Sequence, residues 1–140
     1  MSLDAQVTEF NWLLDTFVEQ TGGVSDAVAV SSDGLLMARS ATLDRAGAQQ
    51  VAAIISGLVS LGESTQRCLH FEELDQIIVA MEGGFLYVTA MGSAGCLGAI
   101  TLSTFDMDNV GYQMGRFVER ATRMLSPALV EELKTAVAAV

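Results

Sequence analysis

Positive charge is scarce in this chain. Seven Lys and Arg side chains stand against 17 Asp and Glu, for a net charge of −10. Such a chain repels phosphate backbones and anionic lipid surfaces, which argues against nucleic-acid binding. Charge of either sign is thin, at 17% of residues, where a typical soluble domain carries about 25%. Hydrophobic residues reach 51%, and the mean hydropathy is +0.42. This shortage of polar surface leads us to expect an oligomer, part of whose surface is covered by a second copy or a partner. Cysteine is rare too. Cys68 and Cys96 are too few for a disulfide framework and lack C-x-x-C spacing, so reduced thiols in a cytoplasmic protein are expected. The first cation is Arg39, and without a basic n-region no secretory signal peptide is expected. Long apolar runs are missing as well: residues 46–62 are uncharged but contain Gln49, Gln50, Ser56 and Ser60, short of the roughly 20 apolar residues of a spanning helix. No internal repeat, low-complexity segment or linker is visible. The 140 residues therefore read as one domain, long enough to bury a core without disulfide or metal staples.

What is present is a clear succession of elements. Ser2 can cap a helix whose apolar positions Leu3, Val7, Phe10, Leu14, Phe17 and Val18 follow the 3.6 period, ended by Thr21-Gly22-Gly23. Val24 to Ser31 and Leu35 to Ser40 then read as two short apolar strands joined through Asp33-Gly34, a preferred pair for a tight primed turn with positive φ at both central positions. Asp44 opens a long helix to about Arg67. Val51, Ile54, Ile55, Leu58 and Leu61 form its bulky stripe, expected to lie on the sheet. Ala48, Ala52, Ser56 and Ser60 recur every four residues, with Ala53 and Gly57 as a second small pair beside them. Small residues at that spacing let another helix approach closely, so this stripe is a candidate contact with a second copy; a sparsely decorated solvent face is the plainer alternative. Ile77-Ile78-Val79-Ala80, residues 85–91 and residues 96–103 follow as three strands separated by glycine turns. Asp106 or Asp108 caps a further helix, and Ser126-Pro127 starts a short final one to Val140.

No constellation announces catalysis. The single histidine, His70, stands before Glu72, Glu73 and Asp75, a set that could suggest a metal, but alternation along a strand would send them to opposite faces. No G-x-S-x-G elbow exists for a serine hydrolase. Gly92, Gly95 and Gly98 lie between two strands rather than before a helix, which makes them turn and strand glycines and no phosphate cradle. His70 near Cys68 is the one hint of an activated thiol, and buried inert cysteine is the simpler expectation. Arg116, Arg120 and Arg123 share a helix face. They could meet an acidic partner, or they could offset the helix dipole and pair locally. Neither cofactor nor metal is implied.

The order helix, hairpin, long helix, three-strand meander, helix, with the segment L-L-D-T-F-V-E-Q-T-G-G-V-S-D-A-V-A-V-S-S-D-G-L-L-M-A-R-S at residues 13–40, resembles the Roadblock/dynein-light-chain family. Its MglB-related bacterial members of the actinobacterial conservon type are the most similar. The resemblance covers roughly residues 5 to 125, and the expected organisation is a Roadblock-type domain over 1–125 with the helix of 126–140 packed on it. The resemblance implies an α+β fold of the profilin or longin sort: a five-stranded antiparallel sheet in the order α-β-β-α-β-β-β-α plus the short C-terminal helix. The long helix would lie on one face, and the first and third helices on the other. It also implies homodimers joined edge to edge through the third strand, here carrying Gln76 and Ile78, with the long helices packed together. Functionally it implies a noncatalytic adaptor or regulator of a Ras-like small GTPase in a bacterial signalling complex. A sensor-kinase-like protein would be a further partner. Some members act as GAPs without lending an arginine finger, so no arginine here receives that role. Two alternatives are carried beside it: a small-molecule sensor with a profilin- or PAS-like pocket, and a thiol-dependent enzyme.

Overall fold

The computed structural model describes residues 1–103 and 106–139. Its elements are α1 (Leu3–Gln20), β1 (Val24–Ser31), β2 (Leu36–Arg39), α2 (Arg45–Leu69), β3 (Gln76–Met81), β4 (Gly84–Ala90), β5 (Gly95–Leu102), α3 (Met107–Met124) and α4 (Pro127–Ala138). The expected helix end at Val140 lies outside the described residues. Each helix start follows from its cap: the side chains of Ser2, Asp44, Asp106 and Ser126 accept hydrogen bonds from first-turn N–H groups, satisfying donors that a helix leaves unpaired. Pro127 sits at the first helical turn, where its fixed φ suits the helix and its missing N–H costs nothing.

The five strands form one antiparallel sheet in the order β2-β1-β5-β4-β3, as expected for this fold class. Alternation along the strands divides the core in two. On one face Ala27, Ala29, Tyr87, Leu97 and Ala99 meet α1, α3 and α4, whose Phe10, Leu14, Phe117, Leu129 and Leu133 are buried there. Phe117 lies against the rings of Phe10 and Phe17. On the other face Val28, Val30 and Val88 meet α2, through Ala48, Ala52 and Ile55, with Val137 of α4 packed at the margin.

The turn between β1 and β2 differs from the expected primed turn. Gly34 has φ +85°, but Asp33 does not have positive φ. The Gly34 N–H donates to the Ser31 carbonyl at 2.9 Å and the Ser31 N–H to that of Leu35 at 2.8 Å, so the loop has three residues, with glycine alone in the left-handed position. Ser31 stabilises this arrangement: its hydroxyl donates to the Asp33 carboxylate and accepts from the Leu35 N–H. His70 is also placed differently. It is the left-handed C-cap of α2, at φ 57°, and residues 71–75 form no strand, so the alternation considered above does not apply to them.

The two edges of the sheet are finished differently. α4 packs against β2, contributes Leu129 and Leu133 to one core and Val137 to the other, and is pinned through its C-terminal half. Lys134 Nζ lies 2.9 Å from an Asp33 carboxylate oxygen, and Arg45 donates to the Ala138 carbonyl at 3.0 Å. Accordingly β2 is largely buried although it is an edge strand. β3, the other edge, is mostly exposed.

Candidate interaction surface

The second half of α2 runs beside β3, with Gly62 against Leu74 and Ile77, so the outward side of the helix adjoins the open edge of the sheet. Along α2 the sequence offers a bulky and a small-residue stripe, and the structure mixes them: Ile55 and Val51 lie on the sheet as expected, whereas Ala48 and Ala52 join them there and Ile54 and Leu61 face outward. Ala48 and Ala52 of the small stripe are 0% and 2% exposed, pressed onto the sheet with Ile55. The reason is steric: small side chains let the helix axis come close to the sheet, and Ile55 then fills the space over Gly98, where an added Cβ would stand 2.4 Å from Ile55 Cδ1. Ser56 is half-buried under the β1–β2 turn, its Oγ beneath Gly34, and Ser60 is exposed. Ala48 and Ala52 are therefore unavailable to a partner, and the expected contact stripe is corrected.

Facing outward instead are Ala53, Ile54, Gly57 and Leu61, with Ile54 50% and Leu61 69% exposed. A Cβ at Gly57 would meet nothing within 4 Å. The sequence already displayed this mixture of bulky and small residues; their orientation was hidden because both stripes are apolar and only the partner surface of the sheet decides between them. Beside the helix, Met81 and Leu102 lie on the same sheet face and are exposed too.

Gln76 and Ile78 sit on the edge strand as expected, and Ile78 is 49% exposed. Their side chains point to the face away from α2, because neighbouring Ile77 packs into the α2-side core. β3 pairs with β4 on one side only, which leaves a row of backbone groups open on the other. Such an edge is a template for another strand.

Between the second half of α2, the start of β3 and the β4–β5 turn lies an open hollow of about 690 Å³, lined by Glu63, Glu73, Asp75, Ile77 and Cys96 among others. Burial, and then the Glu63 charge, push the Cys96 thiol up from its ordinary value. A thiol in that state is a poor nucleophile. Cys68 is exposed at the end of α2. The arginines of α3 stand apart from this region, on the opposite side of the sheet, and Arg123 pairs with Glu119.

Residues 10–101 match the model of the Roadblock/LC7 domain. The chain belongs to the Roadblock/LC7 family. A Roadblock/LC7 domain from Streptomyces avermitilis shares 31% identity with it at a TM-score of 0.76, over 82% of this chain and 98% of the other. Myxococcus xanthus MglB has the same fold, with a TM-score of 0.77 and 16% identity over 84% of this chain and 94% of its own. An MglB with a tetrameric arrangement aligns at 0.77 and 17% identity, over 92% and 93%. Profilin from Acanthamoeba castellanii shares the broader fold, at 0.55 and 15% identity over 81% of this chain and 97% of its own. Comparison with curated protein sequences found no match. Among the described residues of this Roadblock domain, no helix is long and apolar enough to cross a membrane.

Proposed function

We propose that this Roadblock protein is a homodimeric, noncatalytic adaptor that regulates a Ras-like small GTPase in a cytoplasmic bacterial signalling complex. A sensor-kinase-like protein would be a further partner, able to recruit the complex to a membrane. The observation that carries this reading is that the outward α2 stripe adjoins the unpaired β3 edge. A second copy related by a two-fold axis would cover both at once, strand against strand and helix against helix, as closed symmetric oligomers require. The low charge content of the chain supports the same conclusion. Family membership supports the GTPase, since Roadblock and MglB-like domains act as regulators of small GTPases. The experiment is GTP hydrolysis by the Ras-like GTPase of the same organism, with and without this protein, alongside a pull-down in both nucleotide states and light scattering. A dimer that retains the GTPase in at least one state is expected; a monomer that retains it in neither overturns the reading. The same hydrolysis rates report whether regulation includes acceleration.

The hollow beside Cys96 favours a second reading, a small-molecule sensor. It predicts a ligand carried through purification. Native mass spectrometry giving the mass of the ligand-free dimer is the result expected of the adaptor.

A further inference from the structure

The side of the sheet away from α2 holds a second surface, the groove between α1 and α3. Leu13, Phe17 and Phe117, largely buried in the core, show only their edges at its floor, and Arg116 and Arg120 stand along its α3 wall. Exposed aromatic side chains flank it. Trp12 precedes Thr16 of the α1 wall by one turn, and Tyr112 precedes Arg116 by one turn, with the guanidinium carbon 5.9 Å from the Tyr112 ring centroid. In a chain with only seven cations, three sit on this one helix face. Arg123 is engaged by Glu119, whereas Arg120 has no ion pair or hydrogen bond among the described residues. Trp, Tyr and Arg are the residue types that dominate binding hot spots.

We infer that the α1–α3 groove docks an acidic segment of a different protein, its carboxylates paired with Arg116 and Arg120 and one apolar side chain seated against Leu13, Phe17 and Phe117. Charge complementarity selects this occupant. Guanidinium groups match carboxylates in a two-pronged geometry, and Arg116 and Arg120 concentrate positive charge at this groove in a chain whose net charge is −10. The inference deepens the adaptor reading and rests on it for purpose: a dimer joined through α2 and β3 would present two such grooves on its far side, free for a partner other than the GTPase.

The test replaces exposed Trp12 in the full-length protein with the photo-crosslinking residue p-benzoylphenylalanine, irradiates cells, and maps the crosslinked peptide by mass spectrometry. The expected product is a segment of another protein in which Asp and Glu outnumber Lys and Arg. Its yield should fall roughly tenfold or more in the Arg116→Glu, Arg120→Glu double variant and persist in Arg116→Lys, Arg120→Lys. Melting temperature and light-scattering mass equal to the parent show that the variants fold. A crosslink to another copy of this chain, to a neutral or basic segment, to nucleic acid or to lipid, or no crosslink, overturns the inference, as does a yield indifferent to charge reversal. The two proposals fail separately: a monomeric parent with the acidic crosslink intact removes the dimer and keeps the groove, and a dimeric parent without the crosslink does the reverse.

Discussion

The face of the sheet under α1, α3 and α4 and the face under α2 are built from similar residues but finished to different degrees. Three helices close the first, burying Phe10, Leu14, Leu97, Leu129 and Leu133 completely. α2, joined by Val137 of α4, half-covers the second. Ile55 is buried there, but Ile54, Leu61, Met81 and Leu102 stay in contact with solvent. The edges repeat the contrast, with β2 shielded by α4 and β3 open. An apolar surface that the chain's own helices leave uncovered is where association gains most from the hydrophobic effect. The same residue types thus serve stability on one side and, in our proposal, assembly on the other.

Substitutions should separate the two sides. The largest effect on stability is expected in the closed face: Phe10→Ala removes a fully buried ring packed on Phe117 and should cost about 3–5 kcal/mol in denaturant unfolding. On the open side, Ile54→Asp with Leu61→Asp should leave the fold of the protomer within about 0.5 kcal/mol per site, yet shift the light-scattering mass from dimer to monomer. A large loss of far-UV circular dichroism in this variant would break the comparison. Gly98→Ala tests the packing of α2 itself, since the new methyl meets Ile55 Cδ1 and Val28 Cγ2; about 1–3 kcal/mol of destabilisation is expected from overpacking.

The smallest effect should come from Lys134→Ala, which removes two ion pairs at the rim whose carboxylates are exposed to solvent. Its slight loss of thermal stability should depend on pH. The Ser31 hydroxyl and then Lys134 hold the Asp33 carboxyl below its ordinary value of 3.8, so that the stabilisation is present above that value and disappears as pH falls through the lowered one. Lys134 is held above its ordinary 10.5 by Asp33 and Glu131. Its contribution is therefore complete below 10.5 and is lost as pH rises beyond the raised value. Parent and variant melting curves should converge at both extremes.

Much of this arrangement was legible in the residues. Caps at Ser2, Asp44 and Ser126, the hairpin, the glycine-separated meander and the order of elements all depend on local chemistry, and local chemistry is written in consecutive residues. The orientation of α2 was not. Ile55 was readable as an inward residue, but Ala48 and Ala52 could be set inward beside it only by knowing that Gly98 leaves a recess opposite Ile55, more than forty residues away in sequence. For a related reason the turn at Asp33 was misjudged: Ser31, outside the turn dipeptide, holds a three-residue loop through its hydroxyl. The candidate strand at the edge was anticipated through Gln76 and Ile78, but their side chains lean to the other face because Ile77 takes the inward position. Ala53 and Gly57 were visible as a small pair, and their exposure keeps them in the candidate surface where Ala48 and Ala52 drop out.

Gly57 gives the most direct measurement. A Cβ there would meet nothing within 4 Å, so Gly57→Trp sets a bulky ring on the outward side of α2, where a packed partner helix would have to give way. Light scattering across a dilution series, with melting temperature measured in parallel, reads the result. If the outward faces of two α2 helices pack together, the parent is a dimer and the variant a folded monomer. A variant that remains a dimer with the parent's dissociation constant contradicts the proposed assembly.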